Sequence, residues 1–409
     1  MTRFEQRRRS AWIGLLVVLL LAASAAAAWH HPSVEWFRMS RRTLAQLETD
    51  LSLEPNDWRL HYWYGRRAAE VGDFERAEVP LRRAFGANEA YLPAAVELGR
   101  VLLGMGKIDE AYQMLRLVTG RDPSNLDGHL ALGQLYRSQG AFHRAVEELE
   151  VVLQSNPRHV SALYEIAACR SGMQQPKEAE KALRQALVSD PKNVLVLSAL
   201  SRLRREAGAL EEAEKLAQEA VDLAPGEALP LLELGRVHAA KSSSPENRKI
   251  AIATLERAAA LDPRHPEIRF ELAKVHFDDE NWSECLQQLE RCLESDPSRT
   301  QAFYLVSRCL ASQGRHEEAD RVRRRFERMQ NYDRQVNDLS SRLGAKPDDV
   351  ALRRKLAELH YREGHLERAI DAYRIALQWE PDDEKSRSRL VELIQLRNDG
   401  AARPESTTH

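Results

Sequence analysis

The sequence has little cysteine: four residues in 409, none in a Cys-x-x-Cys pair. A disulfide framework and the commonest zinc and redox motifs are thereby excluded. Aromatic residues make up only 6%. Net charge is almost absent, since 60 Lys+Arg oppose 62 Asp+Glu for a formal −2. This balance supplies no global attraction for nucleic acid, and none is expected as a partner. Catalytic signatures are missing too. Gly104-Met-Gly-Lys107 lacks the earlier glycine of a phosphate loop, because Val101 stands there, and no Ser or Thr follows the lysine. His316-Glu317-Glu318 is not HExxH, and His360 and His365 are five apart, the wrong spacing for one helix face. His30-His31 reads as a polar flank rather than a metal site. The chain is therefore expected to be no enzyme and to carry no catalytic, cofactor-binding or metal-binding residue.

Only one stretch is strongly hydrophobic. Residues 11–28, AWIGLLVVLLLAASAAAA, carry no charge and follow a flank containing Arg3, Arg7, Arg8 and Arg9. As a helix they reach about 27 Å, enough for a hydrocarbon core. Trp12 and Trp29 bracket the run, as interfacial aromatics do. The expectation is a basic cytoplasmic N-terminus over 1–10 and a transmembrane or signal-anchor helix over 11–29. The bulk of the chain would then lie outside the cytoplasm. The small residues at its end equally suit a cleaved signal peptide, which would leave a secreted or periplasmic protein. A cytoplasm-facing anchor is the third alternative.

The remainder repeats itself with a period of 34. Blocks begin at Trp58, Leu92, Leu126, Val160, Val194 and Ala228, then, after a four-residue insertion near Ser242-Ser243-Ser244-Pro245, at Pro266 and Thr300, and finally at Val350. Position 8 is always small: Gly65, Gly99, Gly133, Ala167, Ser201, Gly235, Ala273, Ser307 and Ala357. Position 20 is alanine in every block except at Cys285. Position 15 is glycine in six blocks and position 32 proline in seven of nine. Small residues let two antiparallel helices approach, glycine permits the left-handed turn between them, and proline ends each unit. One such hairpin cannot bury its apolar face alone, so neighbours must stack.

This pattern, seen in LRRKLAELHYREGHLERAIDAYRIALQWEP at residues 352–381, closely resembles the tetratricopeptide repeat. The resemblance implies an all-α solenoid, a right-handed superhelix of about nine hairpins with a concave groove. Its parts would be a packing helix at 33–53, repeats one to eight at 58–333, an inserted helical extension at 334–349, repeat nine at 350–383, a capping helix at 384–398 and a disordered tail at 399–409. Block eight has Asn331 in place of proline, and apolar residues continue at Val322, Phe326, Met329, Tyr332, Val336, Leu339 and Leu343. Either one helix runs from about 317 to 343 or a half-repeat is inserted, and both predict an offset last repeat.

In this family ligands lie against the first helix of each pair. Positions 5 and 9 there supply Tyr62, Arg66, Arg100, Tyr164, Arg202, Arg236, Phe270, Lys274, Tyr304 and Arg308. Such a face would take proteins or peptides with acidic segments. Local pairs offer the opposite reading, a self-neutralised surface: Arg66–Glu70, Glu97–Arg100, Arg202–Glu206, Glu233–Arg236 and Glu271–Lys274. Asn at position 9, needed by the family's carboxylate clamp, is absent. The cluster Arg321-Val-Arg-Arg-Arg325 is interleaved with acids and reads as a solvated face. The function implied is an anchored scaffold, or alternatively an accessory subunit of a membrane enzyme system such as envelope polymer assembly or cytochrome maturation. All four cysteines fall in core columns, and Cys292 and Cys309 are the pair whose repeat positions suggest contact.

Overall fold

The computed structural model describes residues 36–399, apart from 37, 242–243 and 347. The segment expected to anchor the chain, its basic flank, His30-His31 and the residues after 399 lie outside this range. Among the described residues no helix is long and apolar enough to cross a membrane, and no strand is present.

The described chain is all-α and built of helical repeats, in two compact units divided between Ala207 and Gly208. The first unit holds α1 (Leu44–Leu53), α2 (Trp58–Glu70), α3 (Phe74–Ala87), α4 (Leu92–Gly104), α5 (Ile108–Arg121), α6 (Leu126–Ser138), α7 (Phe142–Ser155), α8 (Val160–Gly172), α9 (Pro176–Ser189) and α10 (Val194–Glu206). The second holds α11 (Leu210–Leu223), α12 (Ala228–Ala240), α13 (Pro245–Leu261), α14 (Pro266–Asp278), α15 (Trp282–Ser295), α16 (Thr300–Ser312), α17 (His316–Ala345), α18 (Val350–Arg362), α19 (Leu366–Trp379) and α20 (Glu384–Asn398). Each first helix of a pair begins at the first residue of its 34-residue block. Of the segment 33–53, α1 occupies Leu44–Leu53, because the Thr43 side chain caps the helix there in a capping box with Gln46.

In four hairpins the glycine at position 8 faces a leucine at position 24. A Cβ on Gly65, Gly99, Gly133 or Gly235 would fall 2.5–2.7 Å from Leu81, Leu115, Leu149 or Leu255. The turn at position 15 is left-handed. Six glycines there have φ between 70° and 83°. At two of the positions in that column without glycine, Gln174 and Glu280 are still held at φ 59° and 57°. Packing of the flanking helices thus imposes a conformation that an L-residue adopts only at a cost.

Block eight has one continuous helix, α17, of 30 residues. Gln330-Asn331 stands where other blocks end, and no proline interrupts the i to i−4 hydrogen bonds until after Ala345. Its later half is packed, not free: Tyr332 and Leu343 are buried. The Tyr332 hydroxyl lies 2.8 Å from His360 Nδ1 on α18, and its ring is 4.8 Å from that of His365. Burial, with Arg368 and His365 nearby, lowers the His360 pKa to about 4. On α20, Leu393 is buried and Arg389 reaches Glu358 at 3.0 Å.

The cysteines are all buried thiols. The sulfur that Cys309 meets is Cys285, at 2.8 Å, and not Cys292. Here position 20 of repeat seven faces position 10 of repeat eight, whereas Cys292 sits two turns further along α15.

Two outcomes follow from this packing. Gln174→Gly and Glu280→Gly should each raise the thermal midpoint by a few degrees, about 0.5–1 kcal/mol of relieved backbone strain. A lowered midpoint for both would contradict an imposed left-handed turn. His360 is neutral when folded and takes a proton near pH 6.5 when unfolded, so the unfolded state binds more protons between pH 6.5 and about 4. Stability should fall as pH drops through that window, and His360→Gln should flatten the fall in melting curves. An equally steep fall in the variant would rule His360 out as its source.

Candidate binding face

Positions 5 and 9 are one turn apart and share a face of each first helix. In the first unit this face is closed at its start. Tyr62 on α2 is 3% exposed, stacked by Trp36 at 5.6 Å and 17° and met edge-on by Trp63 and Tyr91. Burial raises the Tyr62 pKa, so it stays a neutral phenol that accepts from Arg66 at 3.3 Å. Arg66 also pairs with Glu70 at 3.3 Å and lies 5.2 Å from the Trp63 ring. On α4, Arg100 pairs with Glu97 at 3.1 Å and with Asp127 of the next repeat at 3.7 Å. Tyr164 on α8 and Arg202 on α10 are half-buried. Glu206 pairs with Arg205 at 3.7 Å, and among the described residues Arg202 makes no ion pair.

The second unit has the more heavily neutralised arginine. Arg236 on α12 meets Glu233 at 2.6 Å, Glu271 at 3.1 Å, and Glu267. Burial opposes its charge, yet the three carboxylates more than offset this and hold its pKa above the ordinary value. Lys274 on α14 shares Glu271 at 2.8 Å, and Arg299 takes Glu267 at 2.7 Å. Phe270 is covered by the Arg299 guanidinium at 4.3 Å.

Tyr304 and Arg308 on α16 are different. Both are exposed, and Tyr304 retains 47% of its surface. Arg308 lies over Phe277 at 4.5 Å and near Tyr304 at 5.8 Å, with no carboxylate partner among the described residues. Phe326 of α17 meets Tyr304 at 5.3 Å. An aromatic shelf therefore holds a guanidinium whose donors face solvent, a geometry suited to a planar acidic group. Of the basic cluster on α17, Arg323 pairs with Asp320 at 2.8 Å and Arg325 lies over Phe303 at 4.4 Å.

Sequence reasoning found the local partners Glu70, Glu97, Glu233 and Glu271 but missed those from the following repeat. Glu267 and Glu271 lie 31 and 35 residues beyond Arg236, about one period away, and that offset was the available signal. Trp36 had no such signal. Gly104-Met-Gly-Lys107 is the hairpin turn, with Gly106 at φ 74° and Lys107 bound to Glu78 at 2.7 Å.

Two segments, 68–135 and 136–203, match a tetratricopeptide-repeat family model, and 324–384 matches a second one. Residues 244–322 match the model described as anaphase-promoting complex, cyclosome, subunit 3. No curated protein matches the chain. Among solved structures, a tetratricopeptide repeat protein from Parabacteroides merdae is 16% identical, with TM-score 0.50, over 62% of this chain and 98% of that one. Human IFIT1, solved as a dimer with m7Gppp-AAAA, is 16% identical, with TM-score 0.53, over 83% of this chain and 86% of that one. At such identity the likeness is one of fold. Family models, helix register and fold agree that the chain carries tetratricopeptide repeats.

Proposed function

We propose that this chain is a non-enzymatic scaffold that docks partner proteins through the first helices of its repeats, with the Tyr304–Arg308 shelf receiving an acidic side chain. The observation that carries this is the contrast within one repeated face: Arg66, Arg100, Arg236 and Lys274 are held by carboxylates, while Arg308 is held by aromatic rings alone. Tetratricopeptide repeats supply the interaction fold. The uncharged run 11–28 beside four arginines supports a membrane anchor with the repeats on the extracytoplasmic side. The m7Gppp-AAAA of the human neighbour is not carried over, since the shared feature is the fold and the chain's charges balance to −2.

The test is a full-length chain fused at its C-terminus to alkaline phosphatase and captured from solubilised membranes. Enzymatic activity of the fusion is expected, and an inactive fusion at normal abundance would sink the outward topology. A partner should be recovered in stoichiometric amount. Tyr304→Ala with Arg308→Glu should weaken its retention about 10- to 100-fold, the loss of one charge-assisted contact worth about 1.5–3 kcal/mol. Equal recovery by the double variant would remove the shelf from the account.

A further inference from the structure

Two thiols face each other inside the second unit. Cys285 on α15 and Cys309 on α16 are fully buried, and their sulfurs are 2.8 Å apart. They belong to one core cluster with Ala273, Leu289, Cys292 and Leu305. The two helices come from successive repeats, so this contact crosses a repeat seam. Either thiol can donate to the other at this distance. Donation from Cys285 lowers the Cys309 pKa, and the same bond together with burial raises that of Cys285. Arg308, adjacent in sequence, also favours a thiolate at Cys309.

We propose that Cys285 and Cys309 are a disulfide site, a covalent staple between the second helix of repeat seven and the first helix of repeat eight. The oxidant is a disulfide, either a small molecule or a protein. The Cys309 thiolate attacks one sulfur of that disulfide, breaks its S–S bond and releases one thiolate, which takes up the proton that Cys309 lost. Cys285 then gives up its own proton and attacks Cys309 Sγ in the mixed disulfide, releasing the second thiol. Two protein thiols are oxidised and one oxidant disulfide is reduced to two thiols. Because both sulfurs are shut from solvent, exchange takes place as the chain folds or as the seam between α15 and α16 opens. The staple would also fix α16, the helix that carries Tyr304 and Arg308. It rests on local geometry alone and does not depend on the proposed docking role or topology.

Trypsin separates the three relevant cysteines: Cys285 in 275–291, Cys292 in 292–299 and Cys309 in 309–315. The detergent-solubilised full chain is unfolded in guanidinium and refolded in mixed oxidised and reduced glutathione until its helical circular dichroism returns. Free thiols are then blocked with N-ethylmaleimide before digestion. The expected product is peptide 275–291 joined to 309–315, lighter by two hydrogens than the sum of the two. A link between 292–299 and 309–315, or full alkylation of all three, would overturn the proposal. Cys285→Ala places in α15 the residue found at position 20 of the other eight blocks, so folding should persist. Its digest should contain no linked peptide, and a surviving link to 309–315 would equally overturn the assignment.

Discussion

The close approach of two helices at position 8 is the contact on which the rest depends. At Gly65, Gly99, Gly133 and Gly235 a methyl group would stand 2.5–2.7 Å from the leucine opposite, inside any tolerable carbon–carbon distance. That approach fixes how each hairpin closes, and closure forces the turn at position 15 into the left-handed region. Gln174 and Glu280 accept this conformation although neither is glycine. The local preference of two residues yields to packing along two helices. A closed hairpin still leaves an apolar outer face, which the next first helix covers within each unit, as expected of a repeat stack.

Stacking also decides the surface. It brings the carboxylates of one repeat to the arginines of the repeat before. Arg236 gains Glu267 and Glu271 in this way, and Arg100 gains Asp127. A basic column in sequence becomes a row of internal ion pairs. Such pairs contribute modestly where exposed, but they occupy donors that a ligand would otherwise use. Long α17 changes this locally. Its Phe326 meets Tyr304, and Arg308 beside them lies on the rings of Phe277 and Tyr304 rather than on a carboxylate. The proposed docking site therefore falls in the repeat whose second helix runs on past Asn331.

Much of the fold was legible because columns such as position 8 and position 15 have one steric purpose each. Helix starts at Trp58, Leu92 and the later block heads follow directly from them. The continuous apolar stripe through Tyr332 and Leu343 also pointed to a long helix, although it could not exclude a half-repeat. The candidate site was less legible. Periodicity identifies neighbours on one helix, such as Glu233 and Arg236, but not which side chains bridge a seam. The same limit hid Trp36 on Tyr62 and the meeting of Cys285, rather than Cys292, with Cys309. Such contacts depend on the three-dimensional offset between repeats, which a column of residue types does not encode.

The central claim is that the Tyr304–Arg308 shelf is open while the cations at Arg66, Arg100, Arg236 and Lys274 are internally satisfied. Photo-crosslinking tests it most directly, with benzoylphenylalanine placed in turn at Tyr62, Tyr164, Phe270 and Tyr304 of the full chain in its native cells. The account predicts a discrete adduct from position 304 and none from 62 or 270, which Trp36 and Arg299 cover. Adducts from 62 or 270 without one from 304 would contradict it.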